Sequence, residues 1–304
     1  MAEILLHHYD TSPFSEKVRV MLGLKGLAWR SVVQPSIMPK PDLLPLTGGY
    51  RRAPVMQIGA DIYCDTQVIL AELEARHPEP RVIRAGDWAV NLWADRLWFQ
   101  ASVPVVFGVL GDSVPQAFID DREKMSGGKF SVAAMKAAST PMRSQWRGHA
   151  AWVEQGLQGQ DFLGGKTASL ADVAAYMNVW WLLRAVEPVA QDLLSGMPRT
   201  LEWRERMAGI RHGTRDELSG ADALAIATSG EPGPAPRHDP DDPSGLPVGA
   251  AVTVQADDYG RDPIDGRLVA ASAERIVIER TAGELGRLNL HFPRVGYILA
   301  AASA

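Results

Sequence analysis

Residues 4–26 run Ile4-Leu5-Leu6-His7-His8-Tyr9-Asp10-Thr11-Ser12-Pro13-Phe14-Ser15-Glu16-Lys17-Val18-Arg19-Val20-Met21-Leu22-Gly23-Leu24-Lys25-Gly26. Ile4–Tyr9 is a short apolar run of strand type. Asp10-Thr11-Ser12-Pro13 follows as a cap-and-turn cluster, with proline where a helix tolerates it, in the first turn. Val18, Met21, Leu22 and Leu24 then recur on one helical face, and Gly26 closes the helix. Outward from this strand–turn–helix, Ala28–Val33 reads as a second strand and residues 34–53, rich in proline and glycine, as irregular chain. Pro54–Ile58 and Ile62–Cys64 flank Gly59-Ala60-Asp61 as a hairpin. Asp65-Thr66 caps a helix whose apolar face is Val68, Ile69, Leu70 and Leu73. The order is βαβ, loop, ββα.

The remainder of the 304 residues divides unevenly. At roughly 100–200 residues per domain, the length calls for two or three domains. Pro78 and Pro80 end the first block, giving a domain over residues 1–80. Residues 87–229 read as an all-helical domain: Trp88, Leu92, Trp93, Leu97 and Trp98 recur at helical spacing, as do Ala174, Met177, Trp181 and Leu182. The final stretch of that block, Leu218 to Ile226, is a helix expected to lie back on the helical domain. Residues 230–245 crowd prolines and acids into a solvated, semi-rigid linker. Residues 246–304 alternate in short strands and turn clusters, such as Asp257-Asp258-Tyr259-Gly260, and predict a small antiparallel β-barrel-like domain. His291-Phe292-Pro293-Arg294 with Tyr297 is a candidate binding surface on it, or simply its packing.

Charge and cysteine content exclude several classes. A net charge of -5, with 31 Lys and Arg against 36 Asp and Glu, argues against nucleic acid, whose binding rests on clustered cations. Apolar residues at 46% and charged residues at 22% are those of a globular chain. Cys64 is the one cysteine, so an intramolecular disulfide and any CxxC redox or zinc site are excluded, and no metal is expected. The amino-terminal residues lack a secretory pattern, and no apolar run reaches the ~18–20 residues of a membrane span. A cytoplasmic protein without membrane association is expected.

Four motifs in order resemble the glutathione transferase superfamily, over about residues 1–211. They are Ser12-Pro13-Phe14-Ser15 at the first strand-to-helix turn, Ala53-Pro54-Val55 where the family has a cis-proline, Asp65-Thr66 where it has Glu-Ser, and Ser169-Leu170-Ala171-Asp172-Val173 where it has a capping box. The resemblance implies a thioredoxin-like domain, then an all-α bundle. A helix N-terminus with a hydroxyl suits a thiolate, through its unpaired N–H groups, its partial positive charge and a directed hydrogen bond. Ser12 is therefore the catalytic candidate, against the plainer role of helix cap. The resemblance further assigns Pro54 and Val55 to the peptide backbone of glutathione and Asp65 and Thr66 to its γ-glutamyl end. It leaves Arg52 or Lys40 for the glycine carboxylate. Phe14, Trp98, Phe107 and Phe118 are candidates for an apolar cleft, and Ser169 with Asp172 for a structural capping box.

Serine at both positions of the C-x-x-C pattern excludes dithiol glutaredoxin chemistry. The function implied is a transferase that binds glutathione as co-substrate and presents its thiolate to a small apolar electrophile, for conjugation, isomerisation or lyase chemistry. A homodimer is expected from the family. The alternative is a catalytically silent scaffold or ligand carrier, with the C-terminal β module used for assembly.

Overall fold

A computed structural model describes residues 3–302. Met1 and Ala2, where the expected first domain begins, and Ser303 and Ala304, where the last one ends, lie outside the described residues. The opening turn takes shape as its residues dictate. Ser12 has extended backbone and its Oγ accepts a hydrogen bond from Ser15 N–H at 3.1 Å, while Pro13 opens helix α1 (Pro13–Leu24). Strand β1 (Leu5–His8) pairs in parallel with β2 (Ala28–Val33) and antiparallel with β3 (Val55–Ile58). Gly59, at φ +61°, turns β3 into β4 (Asp61–Cys64), and α3 (Thr66–Arg76) follows. Residues 34–53 are irregular apart from one turn of helix, α2 (Leu44–Thr47).

The helical domain comprises α4 (Asp87–Trp93), which runs through a π turn (Ala94–Trp98) into α5 (Phe99–Leu110), then α6 (Gln116–Ser126), α7 (Val132–Gly156), α8 (Leu170–Leu193) and α9 (Pro198–Ile210). At the head of α8, Ser169 Oγ accepts from Ala171 N–H at 3.2 Å and Asp172 Oδ2 accepts from Ser169 N–H at 2.9 Å, a reciprocal cap. Asp172 also accepts from the N–H groups of Leu163 and Gly164 and from Trp203 Nε1, so its buried carboxylate pins the preceding loop and α9 to the central helix.

Residues 212–229 depart from the sequence expectation. They contribute β5 (Thr214–Glu217), parallel to β2, and α10 (Gly220–Ser229). That helix covers the sheet instead of lying on the helical domain. Successive strand residues face opposite sides, so Leu6 joins the core with α1 and α3, while Leu5 and Val32 need a second cover, which Ala223 of α10 provides.

The C-terminal strands are β6 (Ala251–Ala256), β7 (Ile264–Ala271), β8 (Arg275–Thr281), β9 (Arg287–Pro293) and β10 (Tyr297–Ala301), all antiparallel to their neighbours within the module. They form an open sheet without closing into a barrel, because β9 pairs in parallel with β4, in the register Ile62↔Leu290. One ten-stranded sheet results, ordered β10-β6-β7-β8-β9-β4-β3-β1-β2-β5. Val55, Ile62 and Cys64 share a core with Leu288, Leu290 and Phe292, each large apolar side chain worth roughly 1.5–3 kcal/mol on burial. His291 Nε2 lies 2.8 Å from Asp61 Oδ1 and its ring stacks on Tyr63.

The proline-acid segment 230–245 is largely exposed, as its composition implied, but it does not hang free. It is strapped to the sheet: Gly233 N–H donates to Asp61 Oδ2 at 2.7 Å, Asp239 N–H to Ala271 O at 2.9 Å, and Asp242 pairs with Arg294. Its prolines remove donors, so the ties to the sheet come from the intervening residues.

Candidate functional site

A cavity of about 880 Å³ lies between the thioredoxin-like and helical domains. The turn before α1 brings Ser12 to its wall. The Ser12 hydroxyl is both cap and cavity group: its oxygen accepts from Ser15 N–H, which leaves the O–H proton to donate elsewhere. Beside it, Ser12 and Arg122 both approach the Tyr9 hydroxyl, whose pKa is raised chiefly by burial. The Ala53–Pro54 peptide bond is cis, and Pro54 lines the cavity. Val55 does not. Its side chain is in the core shared with the C-terminal strands, and its backbone stands in register with His7 and Cys64, so any contact with a ligand there is through main chain.

Asp65 and Thr66 reach the same cavity from the β4–α3 junction. Asp65 holds φ +97°, a conformation that L side chains rarely adopt and one that clusters at binding sites. Its Oδ1 accepts from Gln67 N–H at 3.0 Å, and its Oδ2 accepts from the Tyr297 hydroxyl at 3.1 Å. Tyr297 Oη is also 3.2 Å from Tyr50 Oη. Arg52 lines the cavity, paired with Asp258 and covered by the Tyr259 ring at 4.7 Å.

Lys40 is buried at 3% exposure with its Nζ 5.7 Å over the Tyr9 ring, and it pairs with no carboxylate among the described residues. Burial, with Arg122 and Arg51 adding to it, brings its pKa down to about 8. Arg51 and Arg122 share one carboxylate, Asp121.

The far end of the cavity is aromatic. Phe14 meets Phe99 edge to face at 4.7 Å, Phe99 stacks on Trp181 at 5.3 Å, and Phe107 joins Phe118 and Phe130. Phe14, Phe107 and Phe118 therefore line the cleft, but Trp98 does not. It is fully buried between Trp93 and Trp146 in the helical core, and Phe99 holds the cleft position next to it. Ser169 and Asp172 lie away from the cavity, at the head of α8.

Sequence reasoning missed Tyr9, Tyr50, Asp258, Tyr259 and the place of Tyr297 in the wall. The polar tip Asp257-Asp258-Tyr259-Gly260 carried a signal, an aromatic in an acidic turn, but nothing local said which cavity it meets. Of the proposed surface His291–Arg294 with Tyr297, only Tyr297 reaches the cavity; His291 and Phe292 are buried and Arg294 pairs with Asp242.

A thioredoxin-like domain with a hydroxyl at its first helix, a cis-proline opposite, and an interdomain cleft facing a helical bundle define the glutathione transferase class of architecture. Residues 6–81 match the glutathione S-transferase N-terminal domain and residues 120–206 its C-terminal domain. The chain belongs to the glutathione S-transferase family. A glutathione S-transferase-like protein of known crystal structure from Pseudomonas syringae is 36% identical, with a TM-score of 0.83, over 99% of this chain and 100% of its own, so the likeness includes the C-terminal strands. Glutathione S-transferase U7 of Arabidopsis thaliana is 22% identical over 68% of this chain and 83% of its own length. FtsZ-localized protein A of Caulobacter vibrioides (strain NA1000 / CB15N) is 29% identical over 57% of this chain and 74% of its own.

Proposed function

We propose that this transferase-like protein is a cytoplasmic enzyme that binds glutathione in the cavity and delivers its thiolate to a small apolar electrophile. The observation that carries this reading is the Ser12 hydroxyl, fixed at the head of α1 and facing the cavity that also holds Thr66, Pro54 and the aromatic wall. The tripeptide fits the residues present. Its thiol meets a hydroxyl donor and a helix N-terminus. Its two carboxylates meet Thr66 and the cations Lys40 or Arg52, and its ammonium meets Asp65.

Chemically, the thiol proton leaves to solvent and Ser12 donates to the sulfur, lowering the thiol pKa from about 8.5. The sulfur lone pair forms the S–C bond while the carbon's leaving group departs with its bonding electrons; isomerisation and lyase chemistry begin from the same thiolate. With this reading goes the homodimer common in the family, checked by light scattering on the intact chain.

The test is calorimetric titration with glutathione, with Kd expected between micromolar and millimolar, roughly -8 to -4 kcal/mol. Thr66→Ala should weaken binding, whereas Ser12→Ala should leave binding largely intact and slow turnover of an aromatic electrophile about 100-fold. Absence of binding at millimolar glutathione favours the second reading, a scaffold or ligand carrier. Two observations support that alternative: both Asp65 oxygens already hold hydrogen bonds, and one relative is named for localising with FtsZ.

A further inference from the structure

The C-terminal module meets the cavity at two places, the β6–β7 loop with Asp258 and Tyr259, and the entry to β10 with Gly296 and Tyr297. The first loop is fixed from three sides. Asp258 pairs with Arg52 and lies 3.3 Å from Arg96 Nη1, the Tyr259 ring covers Arg52, and Gly260 N–H donates to Met125 O at 2.8 Å. Gly260, at φ +58°, is required by that approach, since a Cβ there would come within 3.0 Å of Met125 and 3.3 Å of Arg52. The contact is thus built into the backbone.

An amino-acid-type ligand end carries an ammonium and a carboxylate on one carbon, and burying it requires a partner for each charge. Thr66 supplies the donors, its hydroxyl and N–H. On the acceptor side, Asp65 has each oxygen already holding one hydrogen bond, from Gln67 N–H and the Tyr297 hydroxyl. Asp95 also lines the cavity, but Lys17 donates to both its oxygens, so Asp258, whose oxygens face Arg52 and Arg96, is the remaining carboxylate of the wall.

We propose that Asp258 is a ligand-binding residue, which with Asp65 holds the α-ammonium of the γ-glutamyl end, so that the C-terminal module completes the binding site within one chain. The inference rests on the reading that the cavity takes glutathione. The rival role for Asp258 is neutralisation of Arg52 and Arg96 alone.

Titration of glutathione and of its analogue lacking the α-amino group (glutaryl-Cys-Gly) separates the two roles. On the full-length chain, Asp258→Asn should cost about tenfold in glutathione affinity but under about twofold for the deaminated peptide. Asp257→Asn, in the same loop and paired with Arg96 but itself absent from the cavity wall, should leave both affinities within about twofold. Asp258→Glu keeps the charge and should recover most of the preference for glutathione, which distinguishes charge from a general disturbance of the loop. Equal losses for the two peptides, or no loss, would overturn the proposal. Failure of the unaltered protein to bind either peptide would instead overturn the glutathione reading on which it rests.

Discussion

Lys40 is the residue at which burial and charge act most directly on the ligand. Its ammonium is enclosed beside two guanidinium groups, and its proton is held only up to about pH 8. A bound carboxylate favours the protonated form, so binding raises the Lys40 pKa, and affinity must fall as the free protein loses that proton. With the S-methylated peptide lacking the α-amino group (glutaryl-S-methyl-Cys-Gly), in which no group titrates near pH 8, affinity is expected to be flat from about pH 6 to pH 8. Above it, affinity should drop by up to about tenfold per pH unit. Lys40→Met should be weaker at pH 7 and should lack this pH dependence. A persisting drop in that variant would assign the titration to another group. Much of the site at this scale was legible in the sequence: Ser12, Pro54, Asp65 and Thr66 sit at turns, where local chemistry dictates local structure. Tyr9 and Tyr50 were not, because a tyrosine closing a strand or standing in irregular chain carries no local sign of where its hydroxyl finds partners.

At the scale of elements, Trp98 is placed by ordinary helical spacing. It continues the buried row of Asn91, Ala94, Ala101 and Val105, three and four residues apart, while the exposed Trp88 and Leu92 lie on another face. Trp98 therefore goes into the core, and Phe99, one residue on, into the cleft at the end of the π turn Ala94–Trp98. The same segment clamps the two domains. Lys17 of α1, fully buried, donates to Asn91 Oδ1 at 2.8 Å and to Asp95 Oδ2 at 2.7 Å, which holds the Ser12-bearing helix against α4 and the π turn. Lys17→Met leaves the Asp95 carboxylate enclosed without its cation and should cost about 3–5 kcal/mol in urea unfolding. Lys17→Met with Asp95→Leu should recover a large part of that loss, and a cost that does not recover would locate it in packing instead of charge. Strand β5 escaped the sequence for a related reason: Thr214-Arg215-Asp216-Glu217 has no apolar alternation to announce it, and only the neighbouring β2 makes it a strand.

For the whole molecule, the appended residues belong to the body of the protein. The five strands and their antiparallel order follow from the alternation in residues 246–304, but the β4–β9 pairing joins positions 61 and 289, a separation at which no local pattern operates. Removing residues 230–304 would uncover Ile62, Cys64 and Val55 together with the border of β4, and the remaining chain should melt well below the intact protein by calorimetry. An unchanged melting curve would mean that the two parts are merely tethered. The continuous sheet has one further consequence, for solubility. A four-residue border such as β4, buried along its whole length, is a template for adding strands from other copies. The module moves that template into the interior and leaves β5 and β10 as the borders. Three charges in the four residues of β5 repel an incoming strand, whereas β10, with Ile298 exposed and no charge, does not. Protection from aggregation in this chain is therefore one-sided, strong where the sheet ends in β5 and weakest along the strand that Tyr297 opens.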